Sequence, residues 1–183
     1  MSGRASARMP LVTRIKALDA TAYKAALPGL GELLVDAVEH GASVSMMPGL
    51  TLDDARAWWA ARTDDVADAT TTPFVAFDGD RVVGSVLLIR ARQPNAPHRA
   101  EIAKVIVHTS ARRQGIARQL MAAAEAAARS EGRWLLILDT VPGSPADALY
   151  RAMGWQAAGT IPNFALLPNG EPGPTTYFWK DLR

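Results

Sequence analysis

Ser110-Ala111-Arg112-Arg113-Gln114-Gly115-Ile116-Ala117 joins two segments of opposite character. Before it, residues 101–108 hold the β-branched Ile102, Val105, Ile106 and Val107 and read as a buried central strand. After it, residues 114–130 read as a long helix, closed by Gly132. Small residues at the junction let a ligand approach the backbone, and the first amides of a helix have no internal partner. With Arg112 and Arg113 beside them they form an anion site, most naturally for a pyrophosphate. The segment is not a Walker A loop, since no Gly-Lys-Ser/Thr follows. It is not the dinucleotide fingerprint either, which needs a further glycine. A plain strand-to-helix turn with solvated arginines is the competing reading.

Working outward, residues 134–138 (Trp134 to Leu138) are a continuous apolar run. Strand, helix and strand from residue 101 to 138 make one βαβ unit with parallel strands. Downstream, Ser144-Pro145-Ala146-Asp147 opens a helix with Ser144 as N-cap and Pro145 in the first position, ending at Gly154. Closing strands are expected at 155–160 and 175–180, joined by a Pro/Gly/Asn-rich loop. Upstream, 74–77 and 81–90 form a hairpin about Asp78-Gly79-Asp80. Helices are expected at 30–39, ended by Gly41, and at 51–68, capped by Thr51. The first strand is expected at 11–18. The order is β-α-α-β-β-β-α-β-α-β-β. The class is α+β, with a mixed central sheet of about seven strands flanked by about four helices.

The 183 residues are 49% hydrophobic and 21% charged, values of a folded globular chain rather than a disordered one. One domain over residues 11–183 is expected, with a flexible N-terminus at 1–10. Twenty basic against 18 acidic residues leave a net charge of +2, too little for sequence-independent coating of nucleic acid, so no nucleic-acid partner is expected. With no cysteine there is no disulfide framework and no thiolate nucleophile. His40, His98 and His108 lack ligand spacing, so no metal is expected. No run approaches the ~18 apolar residues that span a bilayer; no membrane association is expected and the location is read as cytoplasmic.

Arg112-x-x-Gly115-x-Ala117, behind Val105-Ile106-Val107, resembles motif A of the GNAT superfamily, the Gcn5-related N-acetyltransferases. Ala148-Leu149-Tyr150-Arg151-Ala152-Met153-Gly154-Trp155 resembles its motif B, and the element order is similar to the family's. Within the superfamily, residues 40–44, 138–140 and 168–170 resemble the tabtoxin-resistance type. The resemblance implies acetyl-CoA as co-substrate and a small-molecule primary amine as acceptor, attacking directly in a ternary complex. A non-catalytic acyl-CoA-binding regulatory module on the same fold is the rival. It further implies that backbone amides of Arg113, Gln114, Gly115, Ile116 and Ala117 hold the pyrophosphate. Arg112, Arg113 and Arg118 would add charge. The backbone of Val105, Ile106 and Val107 would line the pantetheine arm, with a main-chain N–H near Val107 facing the thioester oxygen.

A lysine-like amine with a pKa of about 10.4 is neutral in roughly one molecule in 2,500 at pH 7. That costs about 4–5 kcal/mol, so a base matters. Glu101, at the start of the central strand, and Asp139, ending the 134–138 strand, are the candidates. Each also reads as an ordinary charge, Glu101 beside Arg99 or Lys104 and Asp139 as a turn former. Tyr150 falls where the resemblance implies an acid for the departing thiolate. Of Trp58 and Trp59, one is expected in the core and the other facing the acceptor groove. A homodimer through the final hairpin is a further expectation.

Overall fold

A computed structural model describes residues 13–183; the expected tail at 1–10 and the start of the 11–18 strand lie outside the described residues. The elements are β1 (Thr13–Ala17), α1 (Ala20–Glu39), α2 (Leu52–Ala60), α3 (Thr63–Ala67), β2 (Thr71–Asp78), β3 (Arg81–Arg90), β4 (Arg99–Val107), α4 (Ile116–Ser130), β5 (Leu135–Thr140), α5 (Pro145–Ala152), β6 (Gln156–Leu166) and β7 (Pro172–Asp181), with a 3-10 turn at Thr109–Ala111. One seven-stranded sheet has the order β1-β2-β3-β4-β5-β7-β6. Every neighbouring pair is antiparallel except β4 and β5, the parallel pair of the βαβ unit.

The central strands of the sheet are covered on both faces, whereas β6 is exposed along its whole length. Ala100, Ile102, Leu136, Leu138 and Phe178 pack with Leu120, Met121 and Ala124 of α4 and Tyr150 of α5. On the opposite face, Val75, Val82, Leu87 and Ile106 pack with Leu30, Leu33 and Leu34 of α1 and Trp59 of α2. A fully buried leucine of this kind is worth about 1.5–3 kcal/mol of apolar transfer.

Helix α1 is twice as long as the sequence pattern predicts, starting at Ala20 behind its cap Asp19 rather than near residue 30. Pro28, Gly29 and Gly31 read as breakers. The helix survives them because Tyr23, Ala26, Leu30, Leu33, Leu34 and Ala37 form one buried face. The glycines give close approach: a Cβ on Gly31 would lie 2.7 Å from Cγ of Arg56, and one on Gly29 would lie 2.8 Å from Cγ2 of Val82. Val82 is β-branched and held in the sheet, so it cannot turn aside. Gly29→Ala is therefore expected to destabilise by about 1 kcal/mol, the overpacking cost exceeding the propensity gain. A thermal melt should fall by roughly 2–4 °C; a rise would show that the α1–β3 crossing has slack.

Three further boundaries differ from the sequence reading. The helix expected at 51–68 divides into α2 and α3, so five helices stand where about four were expected. Strand β2 starts at Thr71, ahead of Pro73. Strand β6 runs on through Pro162 to Leu166, leaving only a short turn before β7. Proline fits there because β6 is an edge strand with no outer ladder to interrupt.

Candidate functional site

Strands β4 and β5 pair over only three positions, Arg99–Leu135, Ala100–Leu136 and Glu101–Ile137. Beyond Glu101 they part, although β4 continues to Val107 and β5 to Thr140. The result is a wedge-shaped gap in the middle of the sheet. His108 gives its N–H to Val83 O at 3.0 Å. By antiparallel alternation, Val107 then turns its own N–H and C=O away from β3 and into the gap. An extended ligand with amide groups finds a strand edge there.

Part of this shape comes from a bulge. The β3–β4 register slips between Ser85 and Leu87, and Lys104 takes φ 51°, left-handed for a non-glycine residue. The Ser85 hydroxyl donates to Lys104 O at 3.0 Å and holds the kink. Ala100 and Ile102 face α4, as do Val105 and Val107 past the bulge, while Ala103 and Ile106 face α1.

At the wide end of the gap lies the turn singled out in the sequence. Gly115, at φ 77°, is the N-cap of α4 and offers no side-chain cap to the amides that follow. Arg113 is also left-handed, at φ 63°. Successive amides can converge on an anion in such a turn. Arg112, Arg113 and Arg118 are exposed around it. Arg112 spends its Nε on Val107 O at 3.2 Å, so its guanidinium closes the top of the gap. The turn is tied to α1 by Asp36, which accepts from Thr109 N at 2.9 Å and Thr109 Oγ1 at 2.7 Å. His108, for which the sequence offered no partner, accepts through Nε2 from the Arg81 guanidinium at 2.8 Å and lies 3.5 Å from Asp36. Burial holds its imidazole below the ordinary value, against the pull of Asp36, and Arg81 and Arg112 add to the lowering.

The expected catalytic groups flank the gap on opposite faces. Tyr150, on α5, is 5% exposed and packs against Trp155 and Phe178. Trp155 is anchored in turn through Nε1 to Glu125 at 3.0 Å, which also takes Lys180 at 2.7 Å. Helix α5 is aimed by its start: Asp147 N donates to Ser144 Oγ and Gly143 N donates to Asp147 Oδ2, both at 3.1 Å. The Tyr150 hydroxyl has no hydrogen-bond partner among the described residues. Burial, helped by the Asp139 charge, raises its pKa well above that of a free phenol, so it stays protonated.

Glu101 and Asp139 stand on the other face, with α1, α2 and α3. Asp139 accepts from Thr175 Oγ1 at 2.7 Å and lies inside β5 rather than after it. Glu101 is open to water, yet the protein around it raises its pKa, and the Asp139 charge raises it further, against Lys104 and Arg99. Neither acid forms an ion pair among the described residues. The Asp139 charge raises the pKa of Tyr150 and Tyr177 as well as that of Glu101.

The raised pKa of Glu101 has a testable sign. A carboxylate whose folded pKa exceeds its unfolded one favours the fold at low pH and loses that advantage as pH rises through the folded value. Glu101→Gln is therefore expected to melt no lower than wild type at pH 7. Its advantage should vanish below about pH 4.3, the unfolded value. A melting point several degrees lower at pH 7 would mean that Glu101 holds the fold together.

Trp59 is fully buried, the core member expected of the adjacent pair, and Trp58 is half-buried beside Lys104. Lys104 is the residue that sequence reasoning missed. A left-handed lysine leaves no mark in a β-branched run; only the strand register exposes it. Among the described residues no cluster of three or more His, Asp or Glu is placed to hold a metal ion, and no helix is long and apolar enough to cross a membrane.

The model of the acetyltransferase (GNAT) family matches residues 44–155. Solved structures share the fold. An N-acetyltransferase from Staphylococcus aureus Mu50 is 21% identical, covering 93% of this chain and 99% of its own, with TM-score 0.76. The yncA structure from Salmonella typhimurium, which holds its cofactor acetyl-CoA, is 19% identical, covering 93% and 94%, with TM-score 0.72. A ribosomal-protein-alanine N-acetyltransferase from Brucella melitensis is 25% identical, covering 92% and 99%, with TM-score 0.72.

Proposed function

The chain belongs to the acetyltransferase (GNAT) family, and from that premise we propose that it transfers an acetyl group from acetyl-CoA to a small-molecule primary amine, by direct attack in a ternary complex. Residues 11–183 are read as one catalytic domain. The observation that carries the reading is the gap between β4 and β5, with the Gly115 turn beyond its wide end and Glu101 and Asp139 on the strands that border it.

The chain's residues fit the coenzyme. The amides of 113–117 suit a diphosphate, and Arg113 and Arg118 are free at the surface to add charge. The strand edge at Val105, Ile106 and Val107 suits the amides of a pantetheine arm. Acetyl-CoA, when bound, supplies a thioester whose carbonyl carbon is open to attack. Glu101 or Asp139, directly or through one water, takes the proton that the ammonium must lose before its nitrogen attacks. A main-chain N–H near Val107 faces the carbonyl oxygen. The carbon–nitrogen bond forms, the carbon–sulfur bond breaks, and the Tyr150 hydroxyl gives the departing thiolate its proton. The nitrogen sheds its second proton to solvent as the amide forms, and the proton taken by the carboxylate restores the phenol through solvent, so the net reaction releases one proton.

The test is release of CoA from acetyl-CoA against a panel of amino acids, polyamines, aminoglycosides and peptide N-termini. Turnover of at least one amine, with product gaining one acetyl group by mass, is the expected result. Tight binding of acetyl-CoA with no release by any amine would favour a non-catalytic acyl-CoA-binding module instead.

A further inference from the structure

The face of the sheet that holds Glu101 and Asp139 also holds two cations with no anion of their own. The Lys104 ammonium lies 3.2 Å from Ser45 Oγ and 5.1 Å from the centre of the Trp58 indole. The Arg62 guanidinium lies 3.1 Å from the centre of the same ring and donates to Trp58 O. Neither forms an ion pair among the described residues, and Asp65, the acid whose charge acts on Arg62, is held by Arg92 at 2.6 Å. Burial weakens the hold of each group on its proton, and Arg62 presses the Lys104 value down further. Two partly desolvated like charges share one indole, and a cation in such a place is costly unless an anion meets it.

The bulge supplies the placement. At φ 51°, Lys104 breaks the alternation of β4, and its side chain joins the α1–α2 face together with Ala103 and Ile106. Positive charge thus gathers at the α2–α3 wall, and negative charge gathers at the gap with Glu101 and Asp139. The two sets feel each other without touching, since Lys104 registers both carboxylates. A bare amine would satisfy only the acidic half.

We propose that Lys104, with Arg62 behind it, binds a negative group on the acceptor, so that the substrate is a zwitterionic amine: a primary amine carrying a carboxylate or a phosphorus oxyacid. This rests on the acetyl-transfer reading above and names the class of amine that the same site takes. The ammonium of the substrate turns to Glu101 and Asp139, and its anion turns to Lys104.

The experiment compares CoA release with paired acceptors: L-phenylalanine against phenethylamine, L-alanine against ethylamine, and aminoethylphosphonate against ethylamine. For each pair, kcat/KM of the anionic acceptor is divided by that of its parent amine, in wild type and in Lys104→Met. Dividing one ratio by the other cancels the different basicities of the amines. A charge-assisted contact predicts that the wild-type ratio exceeds the variant's by about 10- to 100-fold for at least one pair, carried by KM rather than kcat. Lys104→Arg should restore part of it. Methionine keeps the stem against Trp58, and Arg62→Met repeats the test should Lys104→Met melt early. A double ratio within about threefold of unity, near the scatter of such comparisons, would overturn the proposal while amine turnover kept the acetyl-transfer reading. No turnover of any acceptor would bring down both.

Discussion

Tyr150→Phe should lower kcat by about 100-fold, with the KM for acetyl-CoA little changed. Protonation by a positioned group is worth about 100- to 10,000-fold. The lower end applies here, because a thiol of pKa near 8.5 leaves far more readily than an amine. The substitution removes one oxygen and keeps the ring, so its contacts with Trp155 and Phe178 remain and the melting temperature should move little. Two measurements separate the roles. Steady-state CoA release reads kcat, and its pH profile reads which group titrates. Since burial keeps the phenol protonated well beyond neutral pH, no alkaline limb in the wild-type profile belongs to Tyr150 below about pH 10. A variant within about threefold of wild-type kcat, far below the usual worth of an acid, would leave Tyr150 as a core aromatic only.

Gly115→Val should weaken coenzyme binding by about 100-fold, equivalent to ~2.7 kcal/mol. Space is not the obstacle, for a Cβ there meets only Gln119 Nε2 at 3.9 Å. The obstacle is φ 77°, which a β-branched residue adopts at a cost of about 1–2 kcal/mol or more. The backbone escapes by rotating, and the amides of 116–118 rotate with it. Losing one or two charge-assisted bonds of about 1.5–3 kcal/mol each accounts for the effect. Calorimetry with CoA gives the dissociation constant directly. Saturating CoA should also raise the melting point less in the variant than in wild type. Unchanged affinity would remove this turn from the diphosphate site.

Where a sequence signal was local and chemically explicit, the structure agrees with it. The Asp78-Gly79-Asp80 turn and the Ser144 cap depend on neighbours a few residues away, and β3 matches its predicted bounds. The start of α1 was illegible because Pro28, Gly29 and Gly31 carry penalties that only the packed face on Arg56 and Val82 outweighs. The extension of β6 was illegible for the opposite reason. Proline is tolerated there only because the strand has one neighbour, which depends on the order of the whole sheet. The candidate residues Glu101, Asp139 and Tyr150 were visible by type and position. The gap between β4 and β5 was not, because their pairing stops after Glu101 for no reason written in either strand.

The kink at Lys104 also bears on how this strand can change over generations. Before it, even-numbered side chains look towards α4; after it, odd-numbered ones do. Point substitutions on either side therefore alter one lining at a time. Loss or gain of a single codon between 99 and 103 would exchange the linings wholesale, swinging Glu101 into the hydrocarbon interior and an alanine or isoleucine to its place. A change in the length of this strand disturbs both linings at once, where a change of residue disturbs one.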